Sequence, residues 1–143
     1  MILLSLFFSL IVQNQPIDEV VVSFHALANK KAETTFIKRY ENSQNADILG
    51  YVYALKMKRS KYSFNPYVKI RNFIEVRKKL KQLIEKNPNS IHLRYIRLLL
   101  QESTPEILGY KDSIEEDKMY LSKLLQNKET NYLSQYIYKN TSL

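Results

Sequence analysis

Apolar residues recur every three or four positions along most of this chain, which is the spacing of one face of an α-helix. The clearest case is an amphipathic helix whose apolar face comprises Ile70, Phe73, Val76, Leu80, Leu83 and Ile84. A helix from Ile91 to about Gln101 is apolar nearly all round in its second half, so we expect it to be central. Further helices are predicted around Val20, Phe36, Ile48, Leu121 and Tyr132.

Residues that favour helix ends separate these apolar runs. Asn45 and either Asn89 or Ser90 can cap the helices that follow them, and Asn65-Pro66 marks a break. Ser113 and Glu116 have the spacing of a capping box. Gly109 is a candidate helix-stop residue. Gly50 lies inside a predicted helix, where close helix packing is the usual compensation for its low helix propensity.

The composition favours helices over strands. With only two glycines and four prolines in 143 residues, the chain has too few turn residues for an all-β domain. Its length predicts one domain, which we place at residues 16–143. We therefore expect an all-α fold of roughly five to seven helices.

Residues 45–126 resemble the tetratricopeptide repeat, a family of stacked antiparallel helix pairs. Leu49, Gly50 and Tyr53 match the Leu-Gly-x-x-Tyr spacing of the first helix of that repeat, and Pro88 resembles its closing proline. Roughly 14 extra residues lie between these features, around positions 58–67. The resemblance implies a short, irregular array of helix pairs whose groove binds a peptide or a partner helix.

Four shorter segments resemble a group of small exported proteins of Bacteroidota. They are residues 61–66, 92–97, 108–110 and 114–118. This resemblance implies a helical fold and export from a bacterial cytoplasm, and it implies no known activity.

The N-terminal segment also bears on location. Residues 2–12 are apolar apart from two serines, and the polar sequence Gln-Asn-Gln-Pro follows them. This run is shorter than the roughly 20 residues of a membrane span but suits the apolar region of a secretory signal. We predict that residues 1–15 are a signal or membrane-targeting segment and that the protein is periplasmic or envelope-associated. A buried terminal helix or strand in a cytoplasmic protein is the alternative.

Positive charge is concentrated in one part of the chain. The formal net charge is +8, and residues 56–81 alone carry +9, because they contain ten basic side chains and a single acid, Glu75. We call these ten residues the basic stripe and predict that it is the binding site for any anionic partner. They are Lys56, Lys58, Arg59, Lys61, Lys69, Arg71, Arg77, Lys78, Lys79 and Lys81.

The residues around the stripe leave its ligand open. Tyr62, Phe64, Tyr67 and Phe73 interleave with the charges, as in proteins that bind single-stranded nucleic acid. Core packing at helix ends and on the apolar face explains the same aromatic residues. Export would favour an anionic membrane surface over nucleic acid as the partner. A solvated helix face without a ligand is the third interpretation.

No residue pattern nominates a catalytic or metal site. The chain has no cysteine, and its two histidines, His25 and His92, lie on different predicted helices and form no zinc-binding motif. Glu115, Glu116 and Asp117 fit the first turn of a helix, where acidic residues are favourable. We therefore expect no cofactor or metal and a non-catalytic protein-interaction module. The alternatives are a binder of an anionic membrane or polyanion, and an exported enzyme with an unrecognised site.

Overall fold

A computed structural model describes residues 16–126 and 131–143, and within them the chain is helical. The helices are α1 Ile17–His25, α2 Lys30–Tyr40, α3 Ala46–Ser60, α4 Pro66–Lys86, α5 Ile91–Ser103, α6 Ile114–Leu125 and α7 Asn131–Asn140. A 3-10 turn, Glu106–Leu108, lies between α5 and α6, and the described part of the chain contains no strand. The predicted all-α class is confirmed, whereas the predicted targeting segment, residues 1–15, lies outside the described residues.

Side-chain caps begin several of these helices. The Asn45 side chain accepts a hydrogen bond from the amide of Asp47 at 2.9 Å, and Ser90 accepts one from Leu93 at 3.1 Å. Asn65 caps α4 in the same way, with Pro66 at the first helical position. Gly109 has a φ of 61° and ends the 3-10 turn, a backbone geometry that favours glycine. These predicted boundaries are confirmed.

The prediction of a capping box formed by Ser113 and Glu116 is wrong. Ser113 is the N-cap of α6, but its side chain makes no capping hydrogen bond. Its backbone N–H donates instead to Oε1 of the buried Gln101 at 3.0 Å, and Glu116 pairs with Arg94. Side chains of α5 thus take the positions that a capping box would have filled, because α6 packs directly on α5.

Helix α5 is central, as its apolar pattern predicts. It packs against α3, α4 and α6, and Leu93, Tyr95, Ile96 and Leu98 are fully buried. A Cβ atom added at Gly50 of α3 would lie 2.6 Å from Cδ2 of Leu93. Glycine at this position therefore permits the close approach of α3 and α5, which confirms the packing inferred from the sequence.

Helix α4 buries a narrower face than the sequence predicts. Phe73, Leu80 and Ile84 are buried, but Ile70, which the sequence places on the same apolar face, is 51% exposed. Because successive residues rotate by 100°, Ile70 lies about 60° round the helix from Phe73, at the edge of the packed face.

Among the described residues, no helix is both long and apolar enough to span a membrane.

Candidate functional site

The first part of the basic stripe lies on α3 and is held by neighbouring elements. Nζ of Lys58 contacts Oε1 of the buried Glu33 at 2.6 Å, and Nζ of Lys56 lies 3.6 Å from a carboxylate oxygen of Glu41. Arg59 donates a hydrogen bond to the Thr34 hydroxyl at 2.8 Å. Since these three cations face α2 and its C-terminal end, they act in the packing of α2 against α3.

The remaining members of the stripe have weaker partners. Nζ of Lys61 lies 5.3 Å from the centre of the Tyr62 ring. Arg77 and Lys81 lie 3.9 Å from the carboxylates of Asp112 and Glu85, respectively. Within the described ranges, no carboxylate lies within 4.0 Å of the other four members. These four are Lys69, Arg71, Lys78 and Lys79. The predicted stripe is therefore two groups of cations with different surroundings.

One side of α4 combines exposed apolar and basic residues. Tyr67, Ile70 and Ile74 are 83%, 51% and 55% exposed and follow one another at the spacing of a single helix face. The same side continues through cations in the second half of the helix. We call this surface the α4 outer face, and it consists of Tyr67, Ile70, Ile74, Arg77, Lys78 and Lys81.

Two segments that adjoin α4 carry further exposed apolar side chains. Phe64, just before α4, is fully exposed, and Ile107 in the 3-10 turn is 93% exposed. The connection from α5 to α6 lies against α4, because the Tyr110 ring packs edge-on against Phe73 at 5.8 Å between centroids. Core packing thus accounts for Phe73 but is the wrong explanation for Phe64 and Tyr67.

The sequence does not identify Ile70 and Ile74 as site residues, and it indicates Phe64 and Tyr67 only as candidates for base stacking. The sequence does contain a signal for this surface, which is the helical spacing of Tyr67, Ile70 and Ile74. Together with the buried positions of α4, these residues make its apolar face wider than one neighbouring helix can cover. That width predicts surplus apolar surface. It does not indicate which edge is left exposed, because the positions of α3 and α5 decide that.

Asp117 forms an ion cluster with two arginines of α5. Its two carboxylate oxygens accept hydrogen bonds from Nε and Nη2 of Arg97, both at 2.6 Å, and a third from Arg94 at 3.1 Å. Asp117 is fully buried. Burial disfavours the charged arginines, yet hydrogen bonds to the carboxylates outweigh it and raise the pKa of both Arg94 and Arg97. The cluster joins α5 to α6.

The acidic trio lies in the first turn of α6, as the sequence predicts, and two of its members also pair with arginines of α5. Asp117 is an interhelical partner, and Glu116 contacts Arg94 at 2.6 Å. The hydrogen bond from Arg94 lowers the pKa of Glu116. Glu115 is exposed. The three carboxylates therefore have different environments, since Asp117 is buried whereas Glu115 and Glu116 are exposed.

The two histidines meet tyrosine hydroxyls in the interior. The Tyr51 and Tyr132 hydroxyls lie 2.8 Å from Nδ1 and 3.0 Å from Nε2 of His92. His25 stacks on Tyr136 with centroids 4.4 Å apart, and its Nε2 lies 3.0 Å from the Tyr95 hydroxyl. We call these six residues the His–Tyr cluster. It joins α1, α3, α5 and α7, a meeting that the separate sequence positions do not reveal.

Burial keeps the His–Tyr cluster neutral. It lowers the pKa of His92 against the opposing effect of Asp47. Burial, and then the charge of Lys139, lowers the pKa of His25 to about 4. A neutral imidazole has one donor and one acceptor nitrogen, so His92 can accept from one tyrosine and donate to the other. This arrangement satisfies buried polar groups at a junction of helices.

The described residues thus define an all-α protein with a basic and apolar face on α4 and two polar clusters inside. They contain no group of three or more histidine, cysteine, aspartate or glutamate side chains that could hold a metal ion. Comparison of the chain with protein-family models, curated proteins and solved structures finds no match.

Proposed function

We propose that this protein is a non-catalytic binding module whose α4 outer face docks on an anionic membrane surface. The observation that carries the proposal is the order of side chains along the outer face of α4. Apolar Tyr67, Ile70 and Ile74 lie toward its N-terminal end, and cationic Arg77 and Lys81 follow them. Apolar side chains enter the boundary between headgroups and acyl chains, while lysine and arginine attract anionic headgroups.

The shape and charge of the surface favour a membrane over a protein partner. Phe64 and Tyr67 are 104% and 83% exposed, so they protrude rather than line a groove. Aromatic side chains of this kind are enriched at the membrane interface. The exposed cations Arg71 and Lys78 have no carboxylate within 4.0 Å in the described part of the chain, which leaves them available to headgroups.

We also propose that the central helices form two stacked antiparallel pairs, as in a tetratricopeptide array. The packing of α3 on α4, of α5 on α6 and of α3 on α5 supports this arrangement. Pro88 lies in the connection between the two pairs, where the repeat has its closing proline.

Export and an exported enzyme stay predictions from the sequence. The proposed surface needs only anionic headgroups and would serve on either side of a membrane.

Co-sedimentation with vesicles tests the proposal. The full chain and its Ile70→Ser/Ile74→Ser variant are mixed with phosphatidylglycerol-containing or purely phosphatidylcholine vesicles at several salt concentrations. We expect the wild type to bind the anionic vesicles, increasingly weakly as salt rises. The variant should bind about tenfold or more weakly, because each isoleucine contributes about 1 kcal/mol or more on burial.

A matched control removes two exposed apolar side chains elsewhere. Val22→Ser/Met119→Ser changes residues that are 53% and 63% exposed on α1 and α6. Residues 1–15 are the same in all three proteins, so differences between them report the substituted surfaces. Equal binding by both double variants, or wild-type binding that ignores lipid charge and salt, would overturn the proposal.

A further inference from the structure

A cavity opens beside the cationic half of the α4 outer face. Its volume is about 350 Å³, and it lies between α4, α5 and the connection that leads into α6. Three cationic residues of α4 line it, and so do Arg97, Tyr110 and Ser113. The three from α4 are Arg77, Lys78 and Lys81.

The cations at this cavity are only partly neutralised. Arg97 is committed to the buried Asp117. Asp112 also lines the cavity, but its side chain is 68% exposed and its Oδ1 lies 3.9 Å from Nη2 of Arg77, which is longer than a hydrogen bond. Its Oδ1 accepts from Gln101 at 2.8 Å. A second carboxylate, that of Glu85, lies 3.9 Å from Nζ of Lys81. Two carboxylates therefore lie near the three α4 cations, which leaves one positive charge in excess.

Hydroxyl groups accompany the cations. Ser113 is only 8% exposed, lines the cavity, and does not use its side chain to cap α6. Tyr110 is 4% exposed, and the Arg77 guanidinium lies over its ring at 4.6 Å. Burial raises the pKa of Tyr110 to about 12, against the opposing effects of Arg97 and Arg77, so the phenol stays protonated and can donate a hydrogen bond.

We propose that this cavity binds a phosphate monoester group through Arg77, Lys78 and Lys81, with the hydroxyls of Tyr110 and Ser113 as further donors. A monoester carries about −1.5 to −2 charges at neutral pH and several strong acceptor oxygens, which match a pocket with several cations and hydroxyl donors. This inference deepens the proposed function, because it names the headgroup chemistry that the outer face recognises.

The experiment compares two lipids and one soluble probe. Vesicles carry either phosphatidic acid, a monoester, or phosphatidylglycerol, a diester, at matched surface potential. Glycerol 3-phosphate is titrated separately by calorimetry against the protein without vesicles. The test variant is Arg77→Gln/Lys81→Gln, and the control Arg71→Gln/Lys79→Gln removes two charges from the same helix outside this cavity.

We expect the wild type to prefer phosphatidic acid and to bind glycerol 3-phosphate. The test variant should lose the preference and bind the soluble probe at least about tenfold more weakly, since each basic residue contributes roughly a fivefold factor. The control should keep both properties. If the double variant does not fold, Lys81→Gln alone replaces it, because the Lys81 side chain is 74% exposed.

The remaining outcomes separate the two proposals. Cavity-dependent binding of glycerol 3-phosphate without any vesicle binding would support the phosphate site and overturn the membrane function. Vesicle binding without preference for the monoester, reduced equally in both double variants, would overturn the phosphate site and leave the membrane function standing.

Discussion

Helices α4 and α5 are both rich in basic side chains, but their charges have opposite surroundings. Arg94 and Arg97 of α5 are only 12% and 13% exposed and share the fully buried Asp117. On α4, Lys78 and Lys79 are exposed, and no carboxylate of the described residues lies within 4.0 Å of them. Similar charges thus join helices at one place and remain open to a ligand at another.

The difference lies in what the neighbouring helix supplies. Helix α6 packs on α5 and brings carboxylates to its arginines, whereas no helix of residues 16–126 and 131–143 covers the outer face of α4. A buried pair must stay complete, because removing one partner leaves an uncompensated charge. Neighbouring exposed charges of one sign instead repel one another weakly. The two groups of cations should therefore respond differently to substitution.

The largest effect is expected from Asp117→Asn. This change keeps the size of the side chain but leaves the two arginines without their buried anion, with only the exposed Glu116 still paired to them. The free energy of unfolding should therefore fall by about 3–5 kcal/mol. Urea unfolding followed by circular dichroism measures it. Glu116→Gln is the control, since Glu116 is 63% exposed and should contribute only about 0–1 kcal/mol. Equal stabilities of the two variants would contradict the structural role of Asp117.

The next effect is a loss of stability in acid from the His–Tyr cluster. His25 has its pKa lowered from 6.5 to about 4 by burial and by Lys139, and burial lowers the pKa of His92 as well. Between pH 6.5 and about pH 4, His25 therefore binds more protons in the unfolded chain than in the folded one. The histidine contribution should therefore be complete above about pH 6.5 and decline as the pH falls toward 4.

Urea unfolding at a series of pH values tests this prediction. His25→Gln removes one titrating group, so its stability should change less steeply over this interval than that of the wild type. Parallel pH profiles for the two proteins would show that His25 does not titrate differently in the folded and unfolded states.

The smallest effect is expected from Arg71→Gln/Lys79→Gln on α4. Both residues are exposed and lack a carboxylate partner among the described residues, so the free energy of unfolding should change by no more than about 0.5 kcal/mol. The urea midpoint measures it. A loss above about 1 kcal/mol would mean that these cations have a structural role and would remove the contrast with α5.

Local signals predicted much of the fold. The caps at Asn45 and Ser90 and the stop at Gly109 lie where the sequence placed them, because these preferences depend on a few neighbouring residues. The prediction of a capping box at Ser113 is wrong, because Gln101 and Arg94 of α5 bind the Ser113 backbone N–H and the Glu116 carboxylate. The basic stripe was recognised as a run of charge, but its division between α2-facing and ligand-accessible cations was not.

By itself, the sequence determined the helical class, the main helix boundaries and the central place of α5. Periodicity, capping residues and the scarcity of glycine act locally or through overall burial, so they can be evaluated along the chain. The packing of the helices determines that Asp117 pairs with two arginines, that His92 lies between two tyrosines and that Ile70 and Ile74 remain exposed. These outcomes depend on which helices pack side by side, and residues far apart in sequence meet only through that packing.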